Sequence, residues 1–155
     1  MKKVKEVMVT EVVTFKRDDP IHYVAWALRD KMISGAPVID GKKVVGIVSE
    51  RDVMRLIEDH ELQVNILFPS PLDVLELPLK MKHELDEMTS LIKETATTPV
   101  EDIMTKKVIT VSPAETVADA ARIMGEKKIN RLPVVDKKYN LLGLVTRGVI
   151  IGTLV

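Results

Sequence analysis

An internal repeat limits the folds that this chain can adopt, because one part of its 155 residues aligns with another. Residues 4–40 align without a gap on residues 100–136, a shift of 96 positions, and beyond residue 40 the shift becomes 97 because the second copy carries one extra residue. Such self-similarity indicates two copies of one supersecondary unit. Ten aligned positions are identical, represented in the first copy by Val4, Met8, Val12, Thr14, Ala25, Lys31, Ile33, Pro37, Val38 and Asp40.

Each copy predicts the same order of elements. A short helix, KEVM or VEDIM, precedes an extended segment, EVVTF or KVITV, and TPVE at residues 98–101 has capping-box spacing. A helix is then expected to begin at Asp19-Pro20 and at Ser112-Pro113, with proline at the first helical position. APVID or LPVVD predicts a strand, followed by a hairpin turn, a second strand and a final helix. The prediction is an α+β fold with the order β-α-β-β-α, twice.

The segment between the copies has a different pattern. FPSPLDVLELPL contains three of the eight prolines and predicts an irregular crossing, whereas LKMKHELDEMTSLIKE has helical apolar spacing. That spacing fits a helix lying on its own protein or a helix that binds a partner. The chain is therefore predicted to divide into residues 1–59, 60–98 and 99–155. Four apolar residues share one face of the predicted helix: Met81, Leu85, Met88 and Ile92.

Composition and charge argue against several classes of function. Basic and acidic residues balance at 23 each, which lacks the basic surface that nucleic-acid binding requires. No apolar run reaches the roughly 18 residues of a membrane span, and the first residues lack the apolar region of a signal peptide, so a cytoplasmic protein is expected. The absence of cysteine excludes disulfides and thiolate chemistry.

Metal and catalytic sites are not expected either. His22, His60 and His83 are far apart and lack acidic partners at metal-ligand spacing. The sequence contains neither a nucleophile-base arrangement nor a glycine-rich phosphate loop. We therefore expect a protein that is not an enzyme.

One local difference between the copies bears on function. GIVSERD at residues 46–52 aligns with GLVTRGV at residues 143–149, so the hydroxyl of Ser49 is retained while Asp52 is replaced by Val149. Ser-x-x-Asp before an apolar run fits a helix capping box. It also fits a nucleotide site, because a helix N-terminus suits a phosphate and a carboxylate one turn later suits a ribose diol. The residues alone leave both interpretations open.

The two copies resemble a pair of CBS (cystathionine β-synthase) domains, which bind adenosyl ligands in other proteins. The resemblance rests on the Met8/Thr14 and Met104/Thr110 openings, on APVID and LPVVD, and on GIVSERD. It covers nearly the whole chain apart from residues 60–98 and is closest to stand-alone archaeal or bacterial members. It implies two repeats packed as a pseudo-two-fold pair, with two clefts between them.

The resemblance also implies which residues form the first cleft. Ser49 would contact phosphate and Asp52 would contact ribose, with Arg131 and Arg147 as cations. The small residues of SGAP, residues 34–37, leave few cations, which favours a ligand with few phosphates. AMP is therefore the favoured ligand, while ATP, ADP, S-adenosylmethionine and NAD are chemically admissible, and no further cofactor is required. The remaining lining residues would be Ala36, Pro37, Ile47, Thr110, Val111 and Pro113.

The second cleft is predicted to be weaker, because Val149 supplies no ribose acceptor. Its implied lining comprises Thr14, Lys16, Asn130, Leu132, Pro133 and Thr146.

The expected function is a regulatory, ligand-sensing module. A ligand that bridges both repeats would favour one arrangement of them, and an unknown regulated protein would sense the difference. The resemblance also implies a homodimer. The alternative is a scaffold or dimerisation module without a ligand, in which Asp52 is only a helix cap.

Overall fold

The computed structural model describes residues 1–59 and 77–155, with backbone alone for residues 77–85 and Met88. The first part contains helix α1 (Val4–Val7), strand β1 (Phe15–Lys16), helix α2 (Ile21–Asp30), strands β2 (Gly35–Asp40) and β3 (Lys43–Ser49), and helix α3 (Glu50–Asp59). The second contains helix α4 (Leu77–Thr97), a 3-10 helix (Val100–Asp102), helix α5 (Val117–Lys127), strands β4 (Arg131–Val135) and β5 (Leu141–Thr146), and helix α6 (Arg147–Gly152).

The two sheets have the same plan but differ in their first strand. In the first repeat β1 pairs parallel with β2, and β2 pairs antiparallel with β3. In the second, β4 and β5 pair antiparallel, and the first strand is reduced to a parallel bridge between Val111 and Val134. The α+β class is confirmed, and the predicted order of elements is complete in the first repeat.

A carboxylate closes the turn that directly follows each first strand. Asp19 Oδ2 accepts a hydrogen bond from the backbone N–H of Lys16 at 2.7 Å, and Glu115 Oε2 accepts one from Ser112 N–H at 2.6 Å. Each carboxylate thus satisfies a backbone donor of the turn, and the chain leaves the sheet there. The extended segments predicted for EVVTF and KVITV are therefore mostly outside named strands.

The predicted helix starts are wrong by one and by four residues. Pro20 occupies the cap of α2, so the helix begins at Ile21. Helix α5 begins at Val117 because Thr116 forms its capping box: Thr116 Oγ1 accepts from Asp119 N–H at 3.1 Å, and Asp119 Oδ2 accepts from Thr116 N–H at 3.1 Å. Residues 112–115 form a turn instead.

The predicted capping box at residues 98–101 is also not formed. Thr98 Oγ1 donates to the carbonyl of Glu94, and Glu101 pairs with Arg17 at 3.2 Å. Pro99 caps the 3-10 helix without a side-chain hydrogen bond. A serine or threonine with an acidic residue three positions later marks a helix start only where other groups do not compete for the two side chains.

The repeats exchange their first segments, which the repeat pattern did not predict. Val9 exchanges two backbone hydrogen bonds of 2.9 Å with Leu144 in β5, and Thr105 exchanges bonds of 2.8 and 3.0 Å with Ile47 in β3. Each segment therefore adds to the sheet of the other repeat. This exchange ties the two repeats into one unit.

The exchange also completes both cores. Val100 is fully buried in the core of the first repeat, and Val4 is fully buried in the core of the second. A Cβ at Gly46 would overlap the side chain of Met104, which is why glycine stands where the exchanged segment crosses β3. Neither repeat has a complete core on its own.

Helix α4 confirms the predicted helix between the copies and contacts α2. Of its predicted apolar face, Ile92 is 48% exposed, whereas the side chains of Met81, Leu85 and Met88 lie outside the described residues. Most of the predicted irregular crossing lies outside them as well. Over residues 1–59 and 77–155, no helix combines the length and the apolar character that crossing a membrane would require.

Candidate functional site

Two clefts open between the repeats and contain predicted site residues. The first cleft, which is lined by Ser49 and Asp52, has a volume of about 660 Å³. The second cleft, which is lined by Thr146, has a volume of about 390 Å³. Four residues line both clefts, so the clefts are neighbours that share one wall: Ser34, Asn130, Arg131 and Arg147.

Asp52 lies where β3 passes into α3. Its Oδ2 accepts hydrogen bonds from Ser49 N–H at 2.9 Å and from Ser49 Oγ at 3.2 Å, and the residue is only 8% exposed. The local geometry is thus that of a capping-box acid. Both of these hydrogen bonds end on Oδ2, and none from the described residues ends on Oδ1. Oδ1 therefore keeps its acceptor capacity for an incoming hydroxyl. The capping and ribose-binding interpretations are therefore compatible.

The chain contains a second hydroxyl-x-x-carboxylate pair that serves as an internal comparison. Asp119 Oδ2 accepts from Thr116 Oγ1 at 2.8 Å and from Thr116 N–H at 3.1 Å, as Asp52 does from Ser49. Hydrogen bonding from the Thr116 side chain, and then from its backbone, lowers the pKa of Asp119. Asp119 lines neither cleft. The two carboxylates accept the same pair of hydrogen bonds but differ in location.

The start of α6 shows how the second repeat manages without the carboxylate. Thr146 Oγ1 accepts a hydrogen bond from Val149 N–H at 3.2 Å and so caps the helix with its hydroxyl alone. Among the described residues that line the second cleft, Glu11 is the one acidic residue. The acceptor that Asp52 offers beside the first cleft has no counterpart at position 149.

The first cleft is more cationic than the sequence predicted. Besides Arg131 and Arg147, it is lined by Arg51, Arg55, Lys107 and Lys128, against the acids Glu50 and Asp52. Sequence reasoning missed these cations because they come from the first turns of α3, from the exchanged segment and from the end of α5. The prediction that few cations are available for phosphate is wrong.

Arg131 reaches from β4 across to the first repeat. Its Nη2 donates a hydrogen bond to Ser34 Oγ, and the side chain is half-buried. Burial lowers the pKa of the Arg131 guanidinium, and the nearby carboxylates of Glu50 and Asp52 act in the opposite direction. A guanidinium titrates so far above neutral pH that Arg131 remains a cation between the clefts.

The structure brings half of the predicted first-cleft residues together. Ile47, Ser49, Asp52, Arg131 and Arg147 line the cleft. Ala36, Pro37 and Val111 are buried in the repeat cores, and Thr110 and Pro113 are outside the lining. The lining includes Val108 and Ile109 instead, which precede the predicted threonine.

The second cleft shows the same displacement. Asn130 and Thr146 line it, whereas Leu132 and Pro133 are buried. Thr14 and Lys16 are outside the lining, which instead includes Val12 and Val13, the counterparts of Val108 and Ile109. The exchange of segments explains both shifts, because each cleft receives the part of the segment that crosses between the repeats. The ligand roles of all these residues remain predictions.

The structure contains no candidate metal centre in its described part. No group of three or more histidine or acidic side chains there is close enough to hold an ion. Of the three histidines, His60 and His83 have side chains outside the described residues.

Comparison with known proteins identifies the repeats. The CBS domain family matches residues 4–59 and 100–155. The uncharacterized protein MJ1426 of Methanocaldococcus jannaschii is 43% identical over 154 residues, covering 98% of this chain and 90% of that protein. A crystal structure of CBSX2 in complex with AMP is similar with a TM-score of 0.72 and 27% identity, covering 99% of this chain and 96% of that one. The family resemblance seen in the sequence is confirmed.

An enzyme is also among the relatives. The inosine-5′-monophosphate dehydrogenase of Korarchaeum cryptofilum is 33% identical over 146 residues, which cover 94% of this chain but 23% of the enzyme. This chain thus corresponds to one part of that larger protein.

Proposed function

Because the chain belongs to the CBS domain family, we propose that it is a regulatory module that binds an adenosine-containing nucleotide in the first cleft. The observation that carries the proposal is the meeting of Ser49 and Asp52 from one repeat with Arg131 and Arg147 from the other. Acceptors for a diol and cations for a phosphate thus face one space of about 660 Å³, within the usual size of ligand sites. The AMP complex of CBSX2 supports this choice of ligand class.

Each part of the nucleotide has a candidate partner in the first cleft. Asp52 Oδ1 would accept hydrogen bonds from the ribose hydroxyls, and Ser49 with the N-terminus of α3 would contact phosphate. The apolar side chains of Ile47, Val108 and Ile109 would contact the base. A bound nucleotide would therefore touch both repeats at once.

AMP is the favoured ligand because it is the nucleotide of the CBSX2 complex. The charge of the cleft does not limit the ligand to one phosphate, because the additional cations would also compensate ADP or ATP. S-adenosylmethionine and NAD contain the same adenosine and remain candidates, and the proposal requires no further cofactor.

Regulation would follow from the contact with both repeats. A ligand that binds only the assembled pair stabilises it by about 2.7 kcal/mol at a hundredfold excess over Kd. Such a ligand would shift the population of repeat arrangements, and a regulated partner would sense the shift. We expect this to occur in the cytoplasm, without catalysis by the module itself.

We further propose a homodimer. Apolar side chains on three helices are exposed, with Trp26 at 59%, Met54 at 55% and Ile92 at 48%. Association of two chains would remove part of this surface from water. Light scattering after size exclusion should give twice the chain mass of 17.4 kDa, and a single-chain mass at micromolar concentration would contradict the dimer.

One observation favours the alternative of a scaffold without a ligand. The two hydrogen bonds from Ser49 already explain Asp52 as a helix cap. Thermal unfolding with AMP, ADP, ATP, S-adenosylmethionine and NAD separates the two functions. A rise in Tm with any of them supports the regulatory module, whereas unchanged melting throughout, with no heat of binding in calorimetry, supports the scaffold.

A further inference from the structure

Ser34 and Gly35 form a seat for the guanidinium of Arg131 on the wall shared by the two clefts. Ser34 Oγ accepts a hydrogen bond from Arg131 Nη2. A Cβ built on Gly35 would lie 2.6 Å from Arg131 Nη1, 2.7 Å from its Cζ and 2.7 Å from the carbonyl oxygen of Val48. The backbone of Gly35 is not left-handed, so space, rather than conformation, requires glycine here.

The internal repeat places Gly35 and Arg131 at equivalent positions of the two copies. Position 131 of the second repeat is the counterpart of position 35 in the first, and position 130 is the counterpart of position 34. Since Arg131 touches Gly35, these equivalent positions meet close to the pseudo-two-fold axis. Two arginines could not occupy this place together. The first repeat supplies the space and the second supplies the cation.

The seat is also joined to the start of α3. The carbonyl of Ser34 accepts a hydrogen bond from Glu50 N–H at 2.9 Å, and Glu50 is the first residue of the helix that carries Asp52. The seat thereby relates the position of the Arg131 guanidinium to that of the Asp52 carboxylate. In a bound nucleotide, the phosphate would face the guanidinium and the ribose would face the carboxylate.

Arg131 keeps donors available for an anion. A guanidinium has five N–H donors, and within the described residues the hydrogen bond to Ser34 is the one it makes. No carboxylate of the described residues forms an ion pair with it. A half-buried cation with unused donors beside a cleft is suited to a phosphate.

We propose that Ser34 and Gly35 are positioning residues, which hold Arg131 where it selects phosphorylated over unphosphorylated nucleosides. This inference rests on the proposed nucleotide site and adds how that site recognises phosphate. The seat acts on the Arg131 guanidinium, which would face the phosphate rather than the base or ribose. Its loss should therefore change the ratio of AMP affinity to adenosine affinity.

Calorimetry with AMP and with adenosine tests the proposal in wild type and in Gly35→Ala. The added methyl group would overlap both the guanidinium and the Val48 carbonyl oxygen. AMP affinity should therefore fall by about tenfold or more, and by clearly more than adenosine affinity. Ser34→Ala adds no atom and should lower AMP affinity in the same direction, which keeps the test valid if Gly35→Ala does not fold. Gly125→Ala is the matched control, because its Cβ meets nothing within 4 Å.

A double variant separates positioning from general damage. If Gly35→Ala acts through Arg131, then adding it to Arg131→Ala should cause no further loss of AMP affinity. An equal loss for AMP and adenosine in both seat variants, or a full effect of Gly35→Ala without Arg131, would overturn the proposal.

Inorganic pyrophosphate keeps the test separate from the nucleotide proposal. If wild type binds none of the adenosine compounds tested, the proposed function fails. Pyrophosphate binding that needs Arg131 and weakens in Gly35→Ala would still support the seat. Pyrophosphate binding that is absent, or indifferent to both changes, would overturn it.

Discussion

Replacing Asp52 by alanine tests the site most sharply, because the carboxylate has a structural role and a proposed binding role. The structural role is visible in the hydrogen bonds of 2.9 and 3.2 Å from Ser49, and losing such a cap costs about 1 kcal/mol of stability. The binding role adds hydrogen bonds between a charged acceptor and the ribose, worth about 1.5 to 3 kcal/mol. Asp52→Ala should therefore weaken AMP binding roughly ten- to hundredfold in calorimetry.

Asp119→Ala is the matched control for this experiment. It removes the equivalent hydrogen bonds from Thr116, at 3.1 and 2.8 Å, from a helix start outside both clefts. Both variants should unfold at a lower denaturant concentration than wild type, but only Asp52→Ala should lose affinity. Asp52→Asn should retain much of the cap and still bind AMP less well, because an amide oxygen is a poorer acceptor for two hydroxyls.

The choice of nucleotide supplies a further readout. 2′-Deoxy-AMP should bind wild type more weakly than AMP does, and should bind Asp52→Ala about as well as AMP does. If Asp52→Ala is destabilised like Asp119→Ala yet binds AMP with wild-type affinity, the carboxylate is only a cap and the ribose assignment is refuted.

Three further predictions concern the second cleft, the exchanged segments and pH. Val149→Asp should create or strengthen AMP binding in the second cleft, seen as a second site in calorimetry; unchanged stoichiometry would contradict it. Val100→Ala should destabilise the whole chain by about 2 kcal/mol in denaturant unfolding, and residues 1–59 alone should lack cooperative unfolding because Val100 completes their core. The pKa of Asp119 is lowered on folding, so the stabilisation from its carboxylate is present above the unfolded pKa of about 4 and is lost as pH falls through the lower folded pKa. The Tm of Asp119→Asn should therefore depend less on pH in this acid range than the Tm of wild type. An unaltered dependence would refute the role of the ionised Asp119 as a helix cap.

The repeat pattern predicts the order of elements except for the first strand of the second repeat, but it does not predict which repeat each first segment joins. The segments around Val9 and Thr105 are so alike in apolar pattern that either could complete either sheet, and only the folded structure distinguishes exchange from self-association. The sequence also predicts Thr110 in the lining of the first cleft, whereas Val108 and Ile109 line it. Composition and periodicity do not distinguish between these neighbouring residues.

Two competing local signals account for the wrongly predicted start of α5. Ser112-Pro113 and the Thr116/Asp119 pair both fit a helix start, and the second prevails because both of its reciprocal hydrogen bonds form. The cationic lining was underestimated for a different reason. Arg51 and Lys107 are distant in sequence and become neighbours of one cleft only through the packing of the repeats.

Calorimetric titration of wild type with AMP tests whether the first cleft binds a nucleotide. We predict saturable binding with one strong site per chain, because Asp52 lines the first cleft with cations of the other repeat and has no acidic counterpart at position 149. Two equal sites per chain would contradict the distinction between the clefts. No heat of binding, for AMP or for any other adenosine compound tested, would contradict the nucleotide site itself.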